Sequence, residues 1–261
     1  MPDRLGPKLA EPLFNRIALI GLGLIGSSLA RAARRTGLAG AIVAGDASDA
    51  VCARVRELGL VDHATTDLPE AVSDCDLVIL CVPVGAMADV GALIGPALKS
   101  GAIVSDVGSV KGSVVAALAP HLSPDIHLIP AHPVAGTEYS GPDAGFATLF
   151  HNRWCIVTPT EGADERAVDR VSAFWRAVGS NVEIMSPAHP TGLMVEAAQA
   201  FLETRGEGVY AVVYGIRDIE SVVSSFTTRG GRLLFRETIT PDQVDERKLS
   251  DGDRFSILQA G

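Results

Sequence analysis

The chain has 261 residues, of which 47% are hydrophobic and 20% are charged, so it has ample apolar material for a packed core and is not typical of a disordered chain. The net charge of −9 and an aromatic content of 5% argue against nucleic acid as a partner, because an acidic chain repels phosphates and offers few rings for base stacking. The N-terminus lacks the apolar stretch of a signal peptide, and the early apolar run 17–26 is too short to span a membrane, so we expect a cytoplasmic protein without a membrane partner. The four cysteines match neither a zinc site nor a disulfide framework, so no metal is expected: Cys52, Cys75, Cys81 and Cys155.

Residues 1–15 are predicted to form a tail, and short apolar runs then alternate with helical patterns as far as residue 187. The predicted strands are 16–20, 41–45, 76–82, 102–105, 127–129, 154–158 and 181–185. The predicted helices are 27–35, 49–58, 85–98, 109–118 and 164–178, and Gly59 is predicted to cap the second of them. This alternation favours parallel pairing through right-handed crossovers, so residues 16–187 are predicted to form an α/β domain with a Rossmann-type, doubly wound and mainly parallel sheet.

The pattern changes after Pro187, where strands and helices no longer alternate. The elements predicted there are a helix over 191–203, a β-rich run over 208–216, a helix over 218–228, and short strands over 232–240, 247–250 and 254–259. This order predicts a small α+β domain of βαβββ type over residues 188–261, with the domain boundary near residues 186–191.

A glycine-rich turn lies between the first predicted strand and helix. Its spacing, G-x-G-x-x-G, is typical of a dinucleotide site, and a carboxylate about 20 residues further on accepts hydrogen bonds from the adenosine ribose. Such a carboxylate repels a 2′-phosphate, so NAD is favoured over NADP as the cofactor. The residues predicted to bind it here are Gly21, Gly23, Leu24, Ile25, Gly26 and Asp46. A nearby arginine serving a phosphate is the alternative, although a solvated helix face is favoured for all three: Arg31, Arg34 and Arg35.

Two later segments also carry candidate chemistry. The run 105–112 follows a strand and opens a helix, which favours anion binding, and its Asp106 is interpreted either as a cofactor contact or as a plain helix cap. His132 follows a predicted strand beside proline and glycine residues, which places it on the carboxyl edge of the sheet. A neutral imidazole there can accept a proton from a substrate hydroxyl, and a buried structural histidine is the alternative.

Together these segments resemble the prephenate and arogenate dehydrogenases of tyrosine biosynthesis over residues 16–187. The segments that carry the resemblance are GLGLIGSSLA, Cys81-Val82-Pro83, the run 106–112, the run 132–141 and Met185-Ser186-Pro187. The resemblance implies NAD-dependent oxidative decarboxylation of prephenate to 4-hydroxyphenylpyruvate, or of arogenate to tyrosine, without a metal. It implies that His132 draws the proton of the ring hydroxyl and that Ser109 orients His132. Substrate contacts are implied for Gly136, Thr137 and Glu138, and cofactor contacts for Cys81, Val82, Pro83 and Asp106.

The C-terminal part departs from that family, in which a helical dimerisation domain supplies an arginine for the substrate carboxylate. Here His189 lies one position from the family's first histidine, and Pro190 stands where a helix is expected. The chain from about Phe201 instead resembles half of a vicinal-oxygen-chelate (glyoxalase-like) domain, with Tyr210 and Ala211 in place of the metal-binding histidine. Because an unpaired half of such a domain exposes sheet edges, we expect a homo-oligomer formed through this segment.

Two alternatives stay open beside this reading. One is a dehydrogenase of the β-hydroxyacid type, which shares the N-terminal pattern but relies on a lysine from its second domain. The other is an NAD-binding module of a fused or engineered chain with little or no turnover, because loss of an arginine clamp weakens charge-assisted binding of the substrate.

Overall fold

The computed structural model describes residues 9–185 and the backbone of three later strands, 212–216, 238–239 and 254–258. The chain divides into two compact units, residues 1–189 and 190–261. The strands of the first unit are β1 (Phe14–Ile20), β2 (Ala39–Gly45), β3 (His63–Thr65), β4 (Leu77–Leu80), β5 (Ile103–Asp106), β6 (His127–Leu128), β7 (Ala131–Pro133), β8 (Trp154–Val157) and β9 (Asn181–Ile184). Its helices are α1 (Leu24–Thr36), α2 (Asp49–Glu57), α3 (Leu68–Val72), α4 (Met87–Ile94), α5 (Lys111–Leu118) and α6 (Glu165–Ala177).

Six strands form a parallel sheet in the order β3-β2-β1-β4-β5-β6. The chain runs outward from β1 in one direction and then restarts at β4 in the other, so the order reverses between β1 and β4. Crevices that bind ligands form at such a reversal, outside the carboxyl ends of the strands. The prediction of a doubly wound Rossmann-type domain is thereby confirmed.

Both faces of the sheet are buried, which explains why its strands read as continuous apolar runs. In β1, Ile17 and Leu19 belong to the core cluster that contains residues of α1, α2 and α6. The intervening Ala18 and Ile20 belong to the cluster on the other face, with residues of α3, α4 and α5. Helices therefore cover the sheet on both faces, and polar functional side chains are to be sought at the ends of its strands.

A second sheet follows the first, with three strands in the order β7-β8-β9. Strand β7 is antiparallel to β8, while β8 and β9 are parallel and are joined through α6. The predicted strands 154–158 and 181–185 therefore exist but lie outside the large sheet. Strand β7 was not predicted, because it has three residues and includes Pro133, which favours the end of a strand.

The sequence interpretation also misses β3 and α3, and it makes α4 too long. A signal for α3 is present, since the Asp67 side chain accepts a hydrogen bond from the Glu70 N–H at 3.1 Å and Pro69 lies in the first turn. Helix α4 ends at Ile94 because a 3₁₀ turn over Gly95–Ala97, with a proline inside it, replaces the rest of the predicted helix. Gly59 is left-handed, with a φ of 64°, and follows the end of α2 as predicted.

The second unit contains strands β10 (Val212–Ile216), β11 (Thr238–Ile239) and β12 (Arg254–Leu258), which form an antiparallel sheet in the order β10-β12-β11. Each falls within a predicted strand, and their antiparallel pairing agrees with a change of architecture after Pro187. The predicted helices 191–203 and 218–228, the strand 247–250 and the boundary segment 186–191 lie outside the described residues. Within the described part of the chain, no helix combines the length and apolarity needed to cross a membrane.

Candidate functional site

The glycine turn joins β1 to α1 at the reversal point of the sheet. Gly21 has a φ of 92°, and its N–H donates to the Gly45 carbonyl at 2.8 Å. A Cβ at Gly26 would lie 2.0 Å from the Gly21 carbonyl oxygen, so only glycine lets the helix approach the strand this closely. A Cβ at Gly23, by contrast, would have no protein atom within 4 Å, and this residue forms the N-cap of α1. The open backbone at Gly23 therefore offers the first N–H groups of α1 to an anion.

Asp46 lies at the end of β2, next to this turn. Its Oδ2 accepts a hydrogen bond from the Leu22 N–H at 2.8 Å, and its Oδ1 accepts one from the Ser48 N–H at 3.0 Å. The carboxylate is therefore fixed against the turn, while each oxygen keeps a further lone pair that can accept from a ribose hydroxyl. The structure thus brings together the glycine turn and the acidic residue that the sequence singled out.

The arginines of α1 have partners within the protein. Arg34 forms an ion pair with Asp62 at 2.8 Å, and Arg31 donates to the Pro142 carbonyl at 3.4 Å. These contacts support the interpretation of a partly solvated helix face rather than a site for a 2′-phosphate.

Cys81-Val82-Pro83 follows β4 and lies beside the glycine turn. The Cys81 N–H donates to the Ile20 carbonyl at 2.7 Å, and a Cβ built at Gly21 would lie 3.0 Å from both the Cys81 carbonyl and the Val82 side chain. Burial raises the pKa of the Cys81 thiol, which keeps the group protonated. This segment therefore forms an uncharged wall next to the turn.

Asp106, at the end of β5, is fully buried, with 0% of its surface exposed. Its Oδ2 accepts from the Gly108 N–H at 2.7 Å and from the Lys111 ammonium, and its Oδ1 accepts from the Ala131 N–H at 3.3 Å. The alternative of a helix cap is wrong, because Val110 is the N-cap of α5 and no side chain caps it. The predicted contact of Asp106 with a cofactor stays a prediction, although every bond described here binds it to the protein itself.

His132 lies in the middle of β7 and is half-buried. Its Nδ1 lies 3.5 Å from the Val107 carbonyl oxygen, an arrangement in which Nδ1–H donates and Nε2 is left as a proton acceptor. Burial and the nearby Lys111 cation lower the pKa of His132 below its ordinary value, which favours the neutral imidazole. Ser109 is exposed in the same loop as Val107, two residues further on. The loop that carries Ser109 therefore also contacts His132.

Gly136, Thr137 and Glu138 are exposed on the loop that follows β7. At the start of this loop, the Val134 N–H donates to the Trp154 carbonyl of β8 at 2.8 Å. It ends on α1, where the Phe146 N–H donates to the Ser28 hydroxyl at 3.1 Å. The predicted substrate residues thus lie in a loop that connects the strand carrying His132 to a contact with α1, the helix that begins at the glycine turn.

The far end of this loop also contacts α2. The Arg54 guanidinium grips both oxygens of Asp143, with distances of 2.6 Å from Nη2 to Oδ1 and of 3.0 and 3.1 Å from Nε to Oδ1 and Oδ2. Sequence reasoning missed this pair because its partners are far apart along the chain, and it missed the Asp106–Lys111 pair because the run 106–112 shows that contact only once it is folded. Among the described residues, no group of three or more His, Cys, Asp or Glu side chains could hold a metal ion.

Comparison with known proteins gives a consistent result. The sequence model of the family described as "Prephenate dehydrogenase, nucleotide-binding domain" matches residues 29–184. Cyclohexadienyl dehydrogenase of Zymomonas mobilis is 45% identical over 177 residues, which cover 68% of this chain and 60% of that enzyme. The chain thus spans about 60% of the length of this relative.

Two solved structures extend the likeness. Prephenate dehydrogenase from Aquifex aeolicus, in complex with hydroxyphenyl propionate and NAD+, is 29% identical, with a TM-score of 0.61 and coverage of 75% of this chain and 68% of that one. Synechocystis arogenate dehydrogenase is 25% identical, with a TM-score of 0.61 and coverage of 82% and 84%. The resemblance carried by the motifs is thereby confirmed, and the chain belongs to the prephenate dehydrogenase family.

Proposed function

We propose that this chain catalyses the NAD-dependent oxidative decarboxylation of prephenate or arogenate. The observation that carries the proposal is a half-buried histidine, His132, whose Nδ1 lies 3.5 Å from the carbonyl oxygen of Val107, just beyond the carboxyl end of β5, so that the neutral imidazole keeps Nε2 as a proton acceptor. Family membership supports it, as do the names of the relatives, which include a cyclohexadienyl, a prephenate and an arogenate dehydrogenase.

The residues of the glycine turn fit a dinucleotide. The N–H groups at the start of α1 would hold the pyrophosphate above Gly23, and Asp46 would accept hydrogen bonds from the adenosine ribose. Cys81, Val82 and Pro83 would form the uncharged wall beside them. NAD, when bound, accepts the hydride that the reaction releases.

His132 acts on the ring hydroxyl of the substrate. Nε2 takes the hydroxyl proton while the hydride leaves the carbon that bears the oxygen, and that carbon becomes a carbonyl carbon. The bond between the ring and its carboxylate then breaks, CO2 leaves, and the electron pair of that bond enters the ring. The ring becomes aromatic as the carbonyl oxygen takes a proton back from the His132 imidazolium and becomes the phenol hydroxyl. Because the imidazole is neutral before the step, it can take up this proton near pH 7. Ser109, in the loop bonded to His132 through Val107, would contact the same hydroxyl.

The loop after β7 would position the rest of the substrate. Gly136, Thr137 and Glu138 are exposed between its two anchors, where they can reach a small molecule. We also propose that the protein acts in the cytoplasm and that it forms a homo-oligomer through its C-terminal segment, as expected from its resemblance to half of a glyoxalase-like domain.

A second candidate is a dinucleotide-binding module with little or no turnover. It is favoured by the sequence after Pro187, where His189 lies one position from the family's first histidine and Pro190 stands where a helix is expected. Such a module would bind NAD through the same turn but would lack groups that grip the carboxylates of the substrate.

One experiment separates the two candidates. The full chain is titrated with NAD by calorimetry, and reduced nicotinamide is then followed by absorbance with prephenate, arogenate and a 3-hydroxyacid. Turnover of prephenate or arogenate that is lost in His132→Asn, and kept in His63→Asn, supports the dehydrogenase. His63 is a matched control because it is exposed and pairs with Glu70 at 2.9 Å. NAD binding without turnover of any substrate would contradict the dehydrogenase and favour the module.

A further inference from the structure

Strand β7, which carries His132, is an outer strand of the sheet β7-β8-β9, and the side of β7 that faces away from β8 lies against the end of β5. An outer strand normally leaves backbone N–H and C=O groups without a partner on one side. Here the Ala131 N–H donates to Asp106 Oδ1 at 3.3 Å, and the Ala131 carbonyl accepts from the Lys111 ammonium at 2.7 Å. A carboxylate and an ammonium thus supply the acceptor and the donor that a neighbouring strand would supply.

These two side chains also bind each other in a buried position. Asp106 is fully buried, and the Lys111 side chain is 17% exposed. Asp106 further accepts from the Gly108 N–H, at the start of the loop that leads to α5. The pair therefore ties together the end of β5, the start of α5 and the first residue of β7, next to His132.

The charges around His132 come from few groups of the described structure. Lys111 on α5 lowers the pKa of His132, and Asp106 on β5 raises it. The Cys155 thiol on β8 stays neutral, because burial raises its pKa. Glu183 on β9 lies on the same face of the sheet as His132, two strands away, with Ile156 between them. The loop beside His132 contributes the dipole of the Val107 carbonyl.

We propose that Asp106 and Lys111 are a positioning pair for His132, which fixes the strand of the base on the large sheet and sets the charge that the imidazole experiences. Lys111 and Asp106 have opposite effects on the electrostatic potential at His132. Both of them bind Ala131, so both hold β7 in the same position. The assignment of His132 as the base rests on the proposed function, whereas the position and the ionisation of His132 do not.

The chain offers a matched control at the opposite edge of the sheet. Asp76 precedes β4 and is 9% exposed, it pairs with Lys99 at 2.5 Å, and it accepts from the Asn15 N–H at 2.6 Å. Like the first pair, it is a shielded aspartate that binds a lysine and a strand N–H. It lies at the amino ends of the strands, so its loss affects the fold without affecting His132.

The experiment compares four variants of the full chain: Lys111→Met, Lys111→Arg, Asp106→Asn and Lys99→Met. The imidazole of His132, assigned by its loss in His132→Asn, is titrated by NMR, and exchange of the Ala131 amide is measured in parallel. Lys111→Met is expected to raise the pKa of His132 and Asp106→Asn to lower it, each by about half a unit. Lys111→Arg keeps the positive charge and should leave the pKa of His132 near the parent value. Lys99→Met, the control at the other pair, should also leave it unchanged. Exchange of the Ala131 amide should quicken in both Asp106→Asn and Lys111→Met, because each removes one of the two bonds to Ala131, and it should stay at the parental rate in Lys111→Arg and Lys99→Met.

Equal changes in Lys99→Met and Lys111→Met, or shifts of the same sign in Lys111→Met and Asp106→Asn, would overturn the proposal. If single variants do not fold, the neutral pair Asp106→Asn/Lys111→Met replaces them. It should restore the pKa of His132 to near the parent value and leave the Ala131 amide fast-exchanging, whereas a protected amide would overturn the proposal. A chain without turnover would contradict the proposed function and would leave these NMR outcomes decisive for the pair.

Discussion

Gly26 lies so close to Gly21 that a Cβ at position 26 would stand 2.0 Å from the Gly21 carbonyl oxygen. Gly26→Ala must therefore push α1 away from β1, and we expect it to destabilise the protein by about 1–3 kcal/mol, as overpacking does. The melting temperature should fall, and the dissociation constant for NAD, measured by titration, should rise.

Gly23→Ala is the matched control for that effect. Its Cβ would meet no protein atom within 4 Å, and its φ of −71° suits alanine. We expect an unchanged melting temperature but NAD binding that is weaker by about tenfold, or about 1.4 kcal/mol, because the methyl group occupies the space above the helix N-terminus. Equal NAD affinity in Gly23→Ala and the parent would argue against a pyrophosphate at this turn.

Asp46→Asn tests the choice between the two nicotinamide cofactors. The amide oxygen can still accept one backbone hydrogen bond, but the negative charge that repels a 2′-phosphate is gone. We expect the preference for NAD over NADP to fall by about tenfold, measured as the ratio of the two dissociation constants. A control is Asp62→Asn, which removes the partner of Arg34 and should leave that ratio unchanged.

The pH dependence of turnover follows from the lowered pKa of His132. The proposed reaction uses the neutral imidazole as the base, so we expect the rate to rise with pH through this pKa and to be constant above it. Because burial lowers the pKa of His132 below its ordinary value of 6.5, kcat/KM, which reports the free enzyme, should reach half of its maximum below pH 6.5. A midpoint above pH 6.5 in kcat/KM would contradict the assignment of His132 as the base.

The Arg54–Asp143 pair anchors the loop that carries the predicted substrate residues. Asp143→Asn should raise the KM for the organic substrate by about twofold to fivefold, as expected for an exposed ion pair, and should leave the affinity for NAD unchanged. The effect should shrink at high salt, which screens exposed charges. The double variant Arg54→Asp/Asp143→Arg, which reverses the two charges, should recover part of the increase in KM. If its increase in KM instead combines those of the two single variants, the pair does not hold the loop.

The parts of the fold that were predictable are those with local signals. Buried strands such as β1 and β4 are continuous apolar runs, and the glycine turn has a fixed spacing, so both could be recognised along the chain. Strand β3 has three residues, His63–Thr65, and its polar ends hide it. Strand β7 was missed because it also has three residues, includes Pro133, and pairs with β8, which lies more than twenty positions further along the chain.

The candidate site shows the same division. Gly23 and Asp46 stand out because each follows a strand end in a recognisable motif, and His132 stands out because it opens the run 132–141, although it lies within β7 rather than after a strand. The bonds of Asp106 to Lys111 and to Ala131 depend on the approach of β5, α5 and β7, which only the folded chain provides. Arg54 and Asp143 are 89 positions apart, and neither belongs to a motif that suggests a partner.

The loop between Val134 and Phe146 is bonded at one end to Trp154 and at the other to Ser28. Both ends of the loop are therefore fixed, one on β8 and the other on α1. We expect an inserted residue to bulge outward near Glu138, and a deleted one to pull on either β7, which carries His132, or the start of α1. Within this loop, new substrate preferences are thus more accessible by exchanging side chains than by changing the number of residues.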